Sequence, residues 1–223
     1  MAMHCIPISI FSRILLKVGY LTAMVRPAVL LVQEVQSGGG GEKAVKAIVK
    51  LLNGELLPGS DYRCHLSPKV ATDSPPEHHM CVWDARLLGE AVEWDVWRGM
   101  DERAPLGIGK DEPTMVAARK VWGELTSDRA FDRAPAFARF SQGVTIGAVH
   151  HARSPALKVK AEAIALQALL GAAAKGGRAL VLCGDFNVDE ADGGAGVLWK
   201  PGASVGDDEP RFKPIRKLSL IHI

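Results

Sequence analysis

Three predicted strands of this chain end on side chains that could do chemistry. A run of apolar residues at 179–183 is followed, after one glycine, by Asp185, and Asn187 comes two positions later. A second apolar run ends at Glu34, and a third ends at His150. Carboxylates bind hard cations, imidazoles transfer protons and amides donate hydrogen bonds. Because ligands of open α/β sheets bind beyond the carboxyl ends of strands, these three strand ends predict a functional site.

The elements that must position these residues alternate between strands and helices. Continuous apolar residues at 179–183 predict a strand that is covered on both faces. The Ala- and Leu-rich helix predicted at 159–174 supplies the crossover connection that a parallel strand needs. Apolar spacing gives the other elements, which are helices at 13–24, 42–52 and 114–125 and strands at 6–11, 29–33, 61–66, 80–84, 135–140 and 144–149.

Three motifs occur in an order and spacing that match a known family. They are L-V-Q-E-V at 31–35, A-V-H at 148–150 and G-D-F-N at 184–187, and R-A-P-A-F-A-R-F at 133–140 fits the strand before the histidine. On these residues the chain resembles the endonuclease/exonuclease/phosphatase superfamily, in particular its deoxyribonuclease I-like branch. The resemblance covers residues 27–188 and implies an α/β (α+β) fold of two packed β-sheets flanked by helices, a four-layer sandwich that is incomplete at its C-terminus.

The resemblance assigns a metal ligand and a proton-transfer group. Glu34 would bind Mg²⁺, or Mn²⁺ or Ca²⁺ in its place, through its carboxylate. His150 would transfer a proton to or from the water or the leaving group. Glu77, which leads into the strand at 80–84, would hold the imidazole in one tautomer and raise its basicity. A solvated acid beside prolines is the alternative for Glu77, and a hydrogen-bonded buried histidine is the alternative for His150.

Three further residues would act on the phosphate or on the nucleophile, as the resemblance implies. Asp185 would position or deprotonate the nucleophile, and Asn187 would donate a hydrogen bond to a non-bridging phosphate oxygen. Arg133 stands where the family has an arginine near the substrate phosphate, a role that suits its planar guanidinium. A solvated arginine at a strand start is the alternative for Arg133, and the next residue is Ala134 where the family usually has an acid.

The implied reaction is metal-dependent phosphodiester hydrolysis, and a deoxyribonuclease-like endonuclease acting on DNA is the first hypothesis. A phosphatase or a sphingomyelinase-like phosphodiesterase of the same fold, acting on another phosphoester, is the second. A non-catalytic binding module is the third, because two family features are missing. The family's first strand ends in a metal-binding asparagine, whereas the first asparagine here is Asn53, and the family's final Ser-Asp-His does not occur.

Both ends of the chain depart from the family. Residues 1–26 form an atypical segment without acidic residues, and its apolar stretches are too short to cross a bilayer. The segment also lacks the positive charge that precedes the apolar run of a secretory signal. The family domain is predicted over residues 27–217, and the missing motif predicts that it is incomplete. Residues 218–223 are predicted to be a non-native tail.

The composition is that of an ordinary globular domain. The 223 residues carry a formal net charge of +2, so charge alone does not indicate a nucleic-acid binder. The four cysteines include no C-x-x-C pair, which argues against a zinc site, and a Cys64–Cys81 disulfide is left open. His78 and His79 would point to opposite faces of a strand and would therefore not share one metal ion.

Overall fold

The computed structural model describes residues 10–36, 40–71, 77–151 and 156–186, with the backbone alone at 10–17 and 36. The chain divides into two compact units. Among the described residues, the first unit holds the chain up to Asp95 together with Ala138–Val144, and the second holds Val96–Phe137 and the chain from Thr145 to residue 186. Asn187 and the tail predicted at 218–223 lie outside the described residues.

Helices and strands alternate along the described residues, and they confirm most of the predicted elements. The helices are α1 (Ile10–Val25), α2 (Gly40–Leu51), α3 (Ala85–Leu88), α4 (Pro113–Leu125) and α5 (Ala156–Lys175). The strands are β1 (Val29–Gln36), β2 (Tyr62–Leu66), β3 (Glu77–Asp84), β4 (Ala91–Val96), β5 (Ala136–Phe140), β6 (Val144–His150) and β7 (Ala179–Asp185). Within the described ranges, no helix has both the length and the apolar character that a membrane span requires.

The first unit contains a three-stranded antiparallel sheet in the order β1-β3-β2. Its central strand β3 carries Met80 and Val82, which are both fully buried. Val45 and Ile48 of α2 belong to the same hydrophobic cluster, with Val32 of β1. The helical stripe predicted for α2 is therefore the face that covers this sheet, as the 3.6-residue period requires.

The second sheet has four strands in the order β4-β5-β6-β7. Within the first unit, the ring centroid of Trp83 on β3 lies 5.9 Å from that of Trp94 on β4 and 5.6 Å from that of Phe140 on β5. Aromatic rings at these separations attract one another in tilted and edge-on arrangements. The two sheets pack through these rings, and the predicted α/β fold of two packed sheets flanked by helices is confirmed.

Helices α4 and α5 supply much of the core of the second unit. Trp122 of α4 and Leu169 of α5 are fully buried and belong to one hydrophobic cluster. Gly147 of β6 allows a close approach in this unit, because a Cβ there would lie 2.5 Å from a side-chain carbon of Leu182 on β7. The close packing of β6 against β7 fixes the strand just before it ends at His150.

Two expectations need correction, and one possible disulfide is excluded. Residues 10–11 are expected to end a strand, but they lie in α1. The alternating pattern that favours a strand at 6–11 is short, whereas the helical pattern that follows it is long. Within the described part of the second sheet, β7 is the last strand and Val181 is 50% exposed, so β7 is not covered on both faces. The suggested disulfide is absent, since Cys64 lies opposite Val82 rather than Cys81 and both thiols are free.

Candidate active site

Glu34 lies at a bulge inside β1, not at the strand end that the sequence predicts, because β1 continues to Gln36. Val32 pairs with Met80 and Val35 pairs with His78, so β1 carries one more residue than β3 over this stretch. Glu34 has a φ of 57°, in the left-handed region that costs a residue with a side chain about 1–2 kcal/mol. Bulges re-aim side chains next to active sites, and backbone strain of this kind persists where the surrounding structure enforces it.

The bulge brings Glu34 close to a second carboxylate. An oxygen of Glu34 lies within 4.8 Å of an oxygen of Glu77, which is the first residue of β3. Two carboxylates at this separation repel each other unless a proton or a cation neutralises them. Mg²⁺ prefers such oxygens, so the acidic pair fits a hard divalent cation. The structure thus places Glu77 in the strand itself and gives it a second potential role, as a ligand beside Glu34.

Replacing Glu34 by glycine should raise the free energy of unfolding by about 1 kcal/mol, because glycine adopts a positive φ without steric cost. Urea unfolding followed by circular dichroism measures this change, and calorimetric titration with Mg²⁺ measures the expected loss of cation affinity. Glu34→Ala is the matched control, because it removes the carboxylate and keeps the strained Cβ. If Glu34→Gly were less stable than Glu34→Ala by the roughly 0.5–1 kcal/mol that the greater backbone entropy of glycine costs, the backbone of Glu34 would store no strain.

In the second unit, Arg133 contacts the imidazole of His150. The guanidinium Nη1 lies 2.6 Å from Nε2 and 3.2 Å from Nδ1 of that ring. Arg133 precedes β5, and His150 ends β6 with a side chain that is 3% exposed. A guanidinium only donates hydrogen bonds, so the ring nitrogen that it meets acts as an acceptor. The pair combines a group that can take up a proton with a group that can hold a phosphate oxygen.

Asp185 ends β7 beside the end of β6. The backbone N–H of His151 donates to the carbonyl oxygen of Asp185 over 2.9 Å. Because both residues lie at the carboxyl ends of their strands, β6 and β7 deliver His150 and Asp185 to the same edge of the second unit. Gly184 precedes Asp185 with a φ of 146°, a conformation open to glycine. The strand predicted at 179–183 is confirmed, and it extends two residues further, through Asp185.

His151, the neighbour of His150, is buried against a carboxylate of α5. Its Nδ1 lies 3.7 Å from an oxygen of Glu162, and the two side chains are 1% and 0% exposed. Burial, with a smaller contribution from His150, lowers the pKa of His151 to about 4. Burial raises the pKa of Glu162 to about 7, although the N–H of Asp132 that binds it acts in the opposite direction. His151 is therefore neutral at physiological pH, and its buried environment is separate from that of the His150 ring.

The predicted site residues fall into two groups, one in each unit. Asn187 lies outside the described residues, and the roles assigned from the family resemblance, including the orientation of His150 by Glu77, stay predictions. The groups are Glu34 and Glu77 in the first unit, and Arg133, His150 and Asp185 in the second.

Comparison with solved structures gives a distant likeness. The crystal structure of ANGEL2, a 2',3'-cyclic phosphatase, matches with a TM-score of 0.41 and 15% sequence identity over 77% of this chain. The chain spans 42% of the length of that ANGEL2 chain. No family model matches the sequence, and no curated protein matches it significantly.

Sequence reasoning missed two charged residues of α5, Lys158 and Glu162. Their side chains are buried, with 6% and 0% of their surface exposed. The sequence carries a signal for this burial, because both residues lie on the same face of α5 as the apolar residues Leu166 and Leu169. Lysine and glutamate are seldom buried without a partner, so a sequence pattern alone favours a solvated position for them.

Proposed function

We propose that this protein is a metal-dependent phosphodiester hydrolase of the deoxyribonuclease I-like kind that acts on DNA. The observation that carries the proposal is the acidic pair of Glu34 and Glu77, whose carboxylate oxygens lie within 4.8 Å at a strained bulge. Close carboxylates of this kind suit a divalent cation, and divalent cations serve in phosphoester hydrolysis. The resemblance of the three sequence motifs supplies the reaction class.

Mg²⁺ is the proposed cation, with Mn²⁺ or Ca²⁺ as alternatives. Glu34 is its proposed main ligand, and Glu77 offers a second carboxylate within reach. A bound divalent cation polarises a phosphoryl oxygen and stabilises the charge that develops on it. The bulge contributes by re-aiming the Glu34 side chain relative to a regular strand.

The second unit supplies the proposed proton transfer and phosphate binding. Arg133 would hold a phosphate oxygen with its planar donors, and its contact with His150 would place that phosphate beside the imidazole. His150 would take a proton from the attacking water or give one to the leaving oxygen. Asp185 would position or deprotonate the nucleophile, and Asn187 of the same motif would donate a hydrogen bond to a non-bridging oxygen.

Supercoiled plasmid DNA tests the proposed function directly. The purified protein should convert it to nicked and linear forms with Mg²⁺ present, should stop doing so when EDTA removes the cation, and should resume when excess Mg²⁺ is returned. Glu34→Gln keeps the side-chain shape and weakens the cation site, so it should require more Mg²⁺ for half-maximal rate. Cleavage that is indifferent to EDTA would contradict a metal-dependent mechanism.

Other substrates separate the remaining hypotheses. Release of phosphate from inositol phosphates, or cleavage of sphingomyelin, without action on DNA would assign the protein to a phosphatase or a sphingomyelinase-like phosphodiesterase. Binding of DNA without turnover, unaffected by Asp185→Ala, would instead indicate a non-catalytic binding module.

A further inference from the structure

Two buried charges on α5 hold the segment that leads into Arg133. Lys158 and Glu162 are 6% and 0% exposed, and the proposed reaction uses neither. Burying a charge costs free energy unless the group is paired and hydrogen-bonded. The hydrogen-bond partners of both side chains lie in residues 128–132, which precede Arg133 directly. The hydrogen bonds of these two buried groups are therefore made with the backbone and side chains next to a proposed phosphate-binding residue.

Lys158 fixes the beginning of this segment. Its Nζ lies 2.7 Å from the carboxylate of Asp128 and 3.7 Å from that of Asp132, and it also donates to the carbonyl oxygen of Ala130. The indole N–H of Trp122 donates to the carbonyl oxygen of Asp128 over 2.6 Å. The segment is consequently held from both α4 and α5.

Glu162 reaches both sides of the contact between Arg133 and His150. Its Oε1 accepts the backbone N–H of Asp132 over 2.9 Å, and Asp132 is the residue before Arg133. Its Oε2 lies 3.7 Å from Nδ1 of His151, which is the residue after His150. A single buried carboxyl group thus binds the residue before Arg133 by a hydrogen bond and packs against the residue after His150, at a separation longer than a hydrogen bond.

We infer that Glu162 is a positioning residue that sets the guanidinium of Arg133 against the imidazole of His150. Its hydrogen bond to Asp132 fixes the backbone from which Arg133 extends, and its packing against His151 limits the space beside the end of β6. The expected effect on catalysis rests on the proposed function, whereas the expected effect on the placement of Arg133 against His150 does not. A misplacement of about 1 Å in a reacting group can lower a rate by about 10²-fold.

The first experiment measures kcat for Mg²⁺-dependent plasmid cleavage. Glu162→Met keeps the volume and removes both oxygens, and it should lower kcat by about 10²-fold. Glu162→Gln keeps an acceptor for the Asp132 N–H and should return kcat to within a few fold of the wild-type value. Lys160→Met, an exposed position on the same helix, is the matched control and should leave kcat unchanged.

A double-mutant comparison separates positioning from a general loss of stability. In an Arg133→Ala background, Glu162→Met should cost little more, because the contact that it serves is already gone. If the losses in kcat caused by Glu162→Met and by Arg133→Ala multiplied in the double variant, the inference would be overturned. Failure of Glu162→Gln to restore the rate would also overturn it.

A second experiment does not depend on activity. The ring C–H resonances of His150, assigned in NMR spectra by their loss in His150→Gln, should shift in Glu162→Met and in Arg133→Ala, but not in Lys160→Met. If Glu162→Met does not fold, Lys158→Met releases the other end of the same segment and should shift the same resonances. Shifted resonances in a protein that hydrolyses no phosphoester would refute the proposed function and support the positioning role. Unchanged resonances would overturn that role at any activity.

Discussion

Replacing His150 by alanine is expected to lower Mg²⁺-dependent phosphodiester cleavage by about 10³-fold, within the range that a positioned acid or base contributes. His150 ends β6 in a buried position with Nε2 2.6 Å from Arg133, so solvent cannot easily take over its role. His151 cannot replace it, because burial lowers the pKa of His151 to about 4 and its ring lies against Glu162. The rate should be measured as kcat on plasmid DNA at saturating Mg²⁺.

Two controls make this prediction specific to the imidazole of His150. Added imidazole should restore part of the rate of His150→Ala, since the missing ring leaves space for it. His65→Ala removes an exposed histidine of β2 and should leave kcat unchanged. If the rate loss matched a loss of folded protein seen by circular dichroism, or if His65→Ala lost as much, His150 would have no chemical role.

The strand ends that carry this chemistry could be predicted because they are local features of the sequence. An apolar run that stops at a polar residue marks both a strand and its exit, and this predicted the end of β6 to within one residue and the end of β7 to within two residues. The helices followed equally from the spacing of their apolar residues. The burial of Trp122, for example, follows from the stripe on α4.

What the sequence could not predict depends on residues that are distant along the chain. The bulge at Glu34 exists only in the register of β1 against β3, and a register shift leaves no mark in either strand alone. The burial of Glu162 depends on the N–H of Asp132, thirty positions earlier. Sequence patterns relate residues that are close along the chain, so they cannot identify such distant partners. They therefore predict which residues belong to a site more readily than how those residues are arranged.

Asp185→Asn should lower the rate of Mg²⁺-dependent phosphodiester cleavage by about 10³-fold while leaving the fold intact. Removing any one member of a cooperating catalytic set lowers the rate by orders of magnitude. The substitution changes only the side chain, so the Asp185 carbonyl oxygen that accepts the His151 N–H over 2.9 Å is retained. Asparagine has nearly the same shape and cannot accept a proton from the nucleophile. Cleavage rate and DNA affinity should be measured on the same preparation.

The two measurements together decide between an enzyme and a binding module. For a hydrolase, Asp185→Asn should retain DNA affinity within a few fold and lose turnover, since losing a carboxylate charge beside a phosphate does not weaken attraction to the polyanion. Asp111→Asn, an exposed aspartate of the same unit, should change neither quantity. An unchanged cleavage rate in Asp185→Asn would remove Asp185 from the mechanism. Because Asp185 lies at the same edge as His150, that result would also weaken the assignment of this edge as the reacting centre.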